Sequence, residues 1–480
     1  MHSVLRQGAL AQALLVRAGE LSSAELVEAH IEQIQRVNPV LNALVVQRFD
    51  AARSEARAAD AARQRGELLG PLHGVPCTVK ETFALAGCPN TAGSVYRRDV
   101  RPTADATTVT RTRTAGAIPL GVSNVPEMAM WIESYNRVYG RTTNPYDQGR
   151  TCGGSSGGEA ALIGAAASPF GIGTDIGGSI RLPAFFCGIF GHKPTARLVP
   201  LAGHYPPCFG AINAYCVAGP LSRTAKDLMP LLRVVAGPDG SPEVASLPLG
   251  EPDEVTFRGR RVWLCDQLGG LPSRPTTALR EAVTRAGRAL EERGAIVEPF
   301  GSRRLARALQ IYSGMLAAVE GPTFHELIGD GAPPPLGREL VRWALRRSRH
   351  TLPALLMALT EKAAKASDKQ LAAHQAEGRA LRAELDALFS DGSVLLLPTY
   401  PRPAPRHNVP LAFPMDWLYT AIFNVMELPA TAVPTGLSPR GIPLGVQVVG
   451  GHGQDHVTIA TALALEESLG GWQPPPGLVS

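Results

Sequence analysis

An α/β architecture on a mixed or largely parallel central sheet is what this 480-residue chain specifies. Short apolar runs bounded by glycine, at 75–79, 117–122 and 170–174, have the length and punctuation of strands. Helical patterns near 105–115, 157–167 and 179–187 lie between them, and strands alternating with helices build layered α/β sheets. Apolar residues make up 45% of the chain and charged ones 19%, enough to bury a large core and to exclude disorder.

The elements follow in order. Ser22 and Glu25 form a capping box, and Leu26, Ala29, Ile34 and Val37 continue at helical spacing until Asn38-Pro39 ends the run. A second helix rich in Ala and Arg covers roughly 48–65, so residues 1–68 read as N-terminal helices. The α/β texture occupies 69–240 and returns at 391–480, with strands at 393–398, 430–434 and 444–449 and a last helix at 455–469. Between these parts, 240–390 reads as a largely helical insertion: one strand (261–265) and a helix (276–293) lead into arginine-rich helices at 302–328, 336–348 and 354–389. No repeat or linker divides the chain, which reads as one domain, 1–480.

A net charge of +5 over this length argues against a nucleic-acid partner. Seven cysteines without a C-x-x-C spacing disfavour a disulfide framework or a zinc ribbon, and a reducing cytoplasm is expected. The first residues lack the uninterrupted apolar stretch of a signal peptide or membrane span.

The chemistry gathers where the glycines do. Eleven fall between 153 and 191, where about four are expected from 50 in the chain. Such an excess marks backbone that must approach something closely. In Gly173-Thr174-Asp175-Ile176-Gly177-Gly178-Ser179-Ile180-Arg181, the run 170–174 ends a strand and 179–186 starts a helix. The N–H groups of Ile176, Gly177, Gly178 and Ser179 would then form an oxyanion site at a helix N-terminus, with the Ser179 hydroxyl as nucleophile. Lys80 ends an apolar run, where desolvation would lower its pKa towards neutrality and make it a base. It is one of only six lysines among 47 basic residues. From the residues alone, a serine-capped glycine turn and a solvated strand-end lysine fit as well.

Other readings of the clusters fare worse. Gly153-Gly154-Ser155-Ser156-Gly157 satisfies G-x-S-x-G, but a turn at 144–150 precedes it where a nucleophile elbow needs a buried strand. No Gly-Lys-Ser/Thr follows, so it is not a phosphate loop. Cys152 has no partner histidine in view; His192 is the sole histidine near the block, and His452 and His456 read as surface or cap residues.

Four motifs together resemble the amidase signature family: G-V-P-x-x-V-K at 74–80, G-G-S-S-G-G at 153–158, G-x-G-T-D-x-G-G-S-I-R at 171–181 and G-x-P-x-G-x-Q-x-V-G at 441–450. The spacings, 75 from Lys80 to Ser155 and 24 from there to Ser179, are most similar to its fatty-acid amide hydrolase branch. Residues 183–194 and 404–410 resemble the type 2 members of that branch. The resemblance implies the amidase signature fold, a mixed sheet surrounded by helices. It implies a triad of Ser179 as nucleophile, Ser155 as proton relay after a cis peptide from Gly154, and Lys80 as base, with Ser156, Thr174, Asp175 and Arg181 in support. It implies hydrolysis of hydrophobic carboxylic amides without cofactor or metal. A glutaminase subunit of a tRNA-dependent amidotransferase shares the triad and is the alternative, as is a broad aryl/alkyl amidase-esterase.

Met128, Met130 and Trp131, upstream of the first glycine cluster, are expected to line an acyl pocket. Five arginines (338, 342, 346, 347, 349) interleave with apolar residues and Trp343 over 338–357, the pattern of a helix resting on a membrane surface. A helix packed on the body with solvated arginines fits equally. A peripheral membrane contact and a homodimer are the macromolecular associations this reading allows.

Overall fold

The computed structural model describes residues 3–67, 70–208, 212–319, 321–363 and 367–478. Its centre is an eleven-stranded mixed sheet. In chain order the strands are β1 (Leu44–Gln47), β2 (Pro76–Lys80), β3 (Ile118–Ser123), a short ladder of β4 (Tyr135–Asn136) and β5 (Gly140–Arg141) outside the sheet, β6 (Phe170–Asp175), β7 (Phe190–Lys193) and β8 (Val217–Ser222). There follow β9 (Arg261–Leu264), β10 (Ile296–Pro299), β11 (Val394–Pro398), β12 (Ala430–Leu437) and β13 (Pro443–Val449). Their order across the sheet is β1-β3-β2-β6-β8-β7-β12-β13-β11-β9-β10. β3, β2 and β6 run parallel near one edge, as do β11, β9 and β10 at the other. The strands between them pair antiparallel.

Both faces are covered, so the strands read as continuous apolar runs. Alternation along β11 shows it. Val394 and Leu396 point into a cluster with Val283 of helix Thr277–Glu291 and Leu465 of helix Asp455–Leu469. Leu395 and Leu397 point the other way, against Ile311 of helix Ala308–Leu316, Leu385 of helix Asp368–Leu388 and Ile422 of helix Leu418–Val425.

Three expectations need correction. The segment 240–390 is not an insertion throughout: β9 and β10 extend the main sheet, and helix Thr277–Glu291 packs on it. Helices Ala308–Leu316 and Asp368–Leu388 pack on the opposite face of β11, and the stretches expected as 302–328 and 354–389 are each broken in two. Residues 1–68 are not purely helical, since β1 forms a sheet edge. Asn38-Pro39 does not stop the first long helix. Helix Ser23–Leu41 runs through Pro39 and ends at Asn42 in the left-handed region (φ 48°), while Asn38 Oδ1 accepts from the N–H groups of Ala43 and Leu44.

The pattern at 338–357 forms two helices, Leu336–Ala344 and Leu352–Ala363, around a turn in which Ser348 and His350 are buried. Leu340, Trp343, Leu355 and Met357 pack inward against Met128 and Phe324. Val341 and Leu345 are about 60% exposed (61% and 60%), and all five arginines face solvent. Among the described residues no helix is long and apolar enough to cross a membrane.

Candidate active site

Strand geometry brings the first two groups together. β2 and β6 are parallel neighbours with Val79 opposite Ile172, so both carboxyl ends reach the same edge, where open α/β sheets bind ligands. Lys80 ends β2, and Thr174 and Asp175 end β6. The Lys80 side chain is fully buried, with Nζ 2.8 Å from Ser155 Oγ and 2.7 Å from Thr174 Oγ1. Burial pushes its ammonium down to about 7, against a pull upward from Cys216, Asp175 and Glu159. Near neutrality it is therefore part uncharged amine.

Ser155 sits in the loop entering helix Gly157–Gly164, and the Gly154–Ser155 peptide is cis. A side chain at 154 has no room, because its Cβ would lie 2.4 Å from the carbonyl oxygen of Trp131. Ser156 ties this loop to the other two. Its Oγ accepts from Thr174 N–H at 3.4 Å, and its own N–H donates to Ser179 O at 3.1 Å.

Asp175 organises the turn that carries Ser179. Arg181 donates to both carboxylate oxygens, through Nε (3.0 Å) and Nη2 (2.9 Å), and both side chains are wholly buried. Burial alone would push the Asp175 carboxyl up, but the charge and hydrogen bonds of Arg181 outweigh it and hold the group well below the usual carboxylate range. The same carboxylate accepts the N–H of Gly178 at 2.7 Å and those of Ile180 and Arg181 at 3.1 and 3.3 Å. Gly178 N–H, expected in the oxyanion site, is therefore committed to Asp175. Among the described residues, no hydrogen bond engages the N–H groups of Ile176, Gly177 and Ser179. The helix begins only at Arg181 and spans six residues, so these donors lie in a turn ahead of it, not in its first turn. Gly178 is required there: φ is +124°, and a Cβ would meet Thr420 Oγ1 at 2.2 Å.

Ser155, Thr174, Ile176 and Ser179 open into one cavity of about 360 Å³. Met128 and Met130 line it, together with Leu316, Phe324 and Leu327. Trp131 is not among the lining residues; its backbone carbonyl packs on Gly154 instead.

The cavity also holds groups the sequence did not announce. His204 Nε2 lies 3.4 Å from Thr174 Oγ1, and burial beside Lys80 pushes its imidazole down to about 3. Tyr312 comes from helix Ala308–Leu316, and Cys208 and Cys216 face the same space. Asn424 reaches the underside of the turn, with Nδ2 2.9 Å from Asp175 O. Each is a single polar residue in an apolar or loop context, without spacing that would flag it. The Asp175–Gly178 bond did carry a signal, since an Asp three residues before an N–H it caps is a common side-chain-to-backbone pattern.

Cys152 and His192 stand apart from this cluster. Cys152 is wholly buried, and burial pushes its thiol up to about 12. His192 is locked between Thr431 Oγ1 (2.9 Å) and Asp455 Oδ1 (3.0 Å), away from the cavity.

Comparison with known proteins agrees with this geometry. The amidase family profile matches residues 25–459. The chain is 42% identical to fatty-acid amide hydrolase 2-B of Danio rerio over 489 aligned positions, covering 99% of this chain and 91% of that protein. It is 33% identical to a glutamyl-tRNA(Gln) amidotransferase subunit of Chloroflexus aurantiacus, with 92% of each covered. Among solved structures, 6-aminohexanoate cyclic dimer hydrolase complexed with substrate superposes with a TM-score of 0.81 at 29% identity, over 99% of this chain and 100% of that one. Motifs, sheet and family match converge, and the chain belongs to the amidase signature family of amide hydrolases.

Proposed function

We propose that this enzyme hydrolyses hydrophobic carboxylic amides, fatty-acyl amides foremost, with Ser179 as nucleophile, Ser155 as relay and Lys80 as base and then acid. The observation that carries the reading is a buried Lys80 amine of pKa about 7 on Ser155 Oγ, with both serines facing a mostly apolar cavity. Neutral Lys80 takes the proton of Ser155 as Ser155 takes that of Ser179, and Ser179 Oγ bonds to the amide carbon. The oxyanion meets the N–H groups of Ile176, Gly177 and Ser179. As the C–N bond breaks, the departing nitrogen gains a proton from Ser155, which regains its own from Lys80. Water then cleaves the ester by the same relay, releasing the acid.

The likeness to the Danio rerio hydrolase favours fatty-acyl substrates. A glutaminase role suits the cavity less: among its described lining residues Glu361 is the one carboxylate, and no arginine or lysine waits for the carboxylate of glutamine. The exposed Val341 and Leu345 with their five arginines favour a reversible contact with anionic membrane, on the segment whose Leu340 and Trp343 pack with cavity residues Phe324 and Leu327.

Replacement of Ser179 tests the assignment. Ser179→Ala should lose amide turnover and fluorophosphonate labelling while keeping the melting temperature. The native enzyme should favour oleamide over acetamide and release no ammonia from glutamine. Near-native turnover by the variant would return the nucleophile to Ser155.

A further inference from the structure

Each N–H in the turn beside Ser179 belongs to a peptide whose carbonyl is tied on its other side. A trans peptide is planar, with N–H and C=O pointing in opposite directions. A bond that fixes one carbonyl therefore aims the N–H of the next residue. Asn424 Nδ2 donates to Asp175 O at 2.9 Å and so sets the Ile176 N–H. Leu182 N–H donates to Gly178 O at 2.7 Å and sets that of Ser179. Thr420 Oγ1 donates to Gly177 O at 2.7 Å, which turns the Gly178 N–H towards Asp175. The remaining peptide, Ile176–Gly177, is tied by the Tyr312 hydroxyl, which donates to Ile176 O at 3.0 Å.

Tyr312 differs from the other three in origin. Asn424 and Thr420 belong to helix Leu418–Val425 and Leu182 to the helix after the nucleophile, whereas Tyr312 reaches in from helix Ala308–Leu316. Its ring lines the substrate cavity, and it stands edge-on to Trp417 with centroids 4.9 Å apart. It is 7% exposed, and burial pushes its phenol up, so the hydroxyl keeps the proton it donates.

We propose that Tyr312 is a positioning residue of the oxyanion turn: its hydroxyl holds the Ile176 carbonyl so that Gly177 N–H faces the substrate oxygen at Ser179, and an acyl chain packed against its ring steadies that hold. The inference rests on the function proposed above and deepens it. It makes acyl-chain length a determinant of kcat as well as of KM, because a short chain leaves the ring unsupported.

Tyr312→Phe keeps the ring, the Trp417 contact and the cavity wall, and removes the donor alone. For a long-chain anilide, kcat is expected to fall about tenfold with KM within about twofold, short of the roughly 10²–10³-fold lost when an oxyanion donor is removed outright. A trifluoromethyl ketone, which forms a tetrahedral adduct on serine, should lose affinity by the same factor. The midpoint of the pH–rate profile should not move, because Lys80 is untouched. The kcat ratio of long-chain to hexanoyl substrate should narrow in the variant. Values of kcat and ketone affinity within twofold of native, or a loss confined to KM, would overturn the role of Tyr312. A native enzyme that neither cleaves amides nor accepts fluorophosphonate at Ser179 would instead overturn the function on which it rests.

Discussion

Acylation should follow the deprotonation of Lys80. With its pKa at about 7, the neutral fraction is about one half at pH 7 and about 1% at pH 5. At the ordinary lysine value it would be roughly one in three thousand at pH 7. Pre-steady-state release of p-nitroaniline from an acyl anilide should therefore rise about tenfold per pH unit below 6 and level off above 8. Two neighbouring groups keep one charge state across this range. Asp175 stays ionised against Arg181 throughout this range, and His204, pushed down to about 3, stays neutral. Glu159, Glu81 and Lys193 are the groups to separate, because burial shifts each of them to about 7 as well; Glu159 accepts from the hydroxyls of Thr78 (2.6 Å) and Ser123 (2.8 Å). Glu159→Gln, Glu81→Gln and Lys193→Met should each keep the midpoint within about one unit if Lys80 is the titrating base. A profile flat from pH 5 to 9, a midpoint near 10, or a midpoint that disappears in active Glu159→Gln would refute the reasoning.

Further outcomes follow from packing and charge. Asp175→Asn strands Arg181 in a site with no solvent, so unfolding free energy should drop by ~3–5 kcal/mol in urea titrations, with loss of activity. Leu316→Trp fills part of the cavity; if it displaces two methylenes of substrate at ~0.8 kcal/mol each, kcat/KM for oleoyl substrates should fall about fifteenfold while hexanoyl substrates change little. The double variant Val341→Glu, Leu345→Glu should co-sediment less with phosphatidylserine vesicles than the native chain, whose binding should weaken with salt.

The central α/β layers and the catalytic neighbourhood were legible because their signals are local and dense. Strands β3 and β11 are apolar over nearly their whole length, and β2 and β6 are largely so until they end in Lys80 and in Thr174-Asp175. Lys80, Ser155 and Ser179 each stand inside a glycine-marked motif. Strands β1, β7, β8 and β10 escaped notice for a different reason. β1, β7 and β10 are four residues long, β8 carries a glycine and a proline, and pairing partners far along the chain decide their state. Tyr312 and Asn424 could not be found from spacing, because they meet the turn through tertiary packing 136 and 249 residues away. The exclusion of Trp131 turned on tertiary placement: its backbone carbonyl lies against Gly154, and its side chain is not in the cavity lining.

The groups proposed to break the bond come from residues 80 to 181, whereas much of the cavity wall comes from 312 to 327. Part of the selectivity is thus written apart from the chemistry, with Met128 and Met130 completing the wall from the earlier stretch. Drift in the later stretch can retune which acyl groups are accepted while leaving hydrolysis itself intact, provided the phenol that bridges the two is kept.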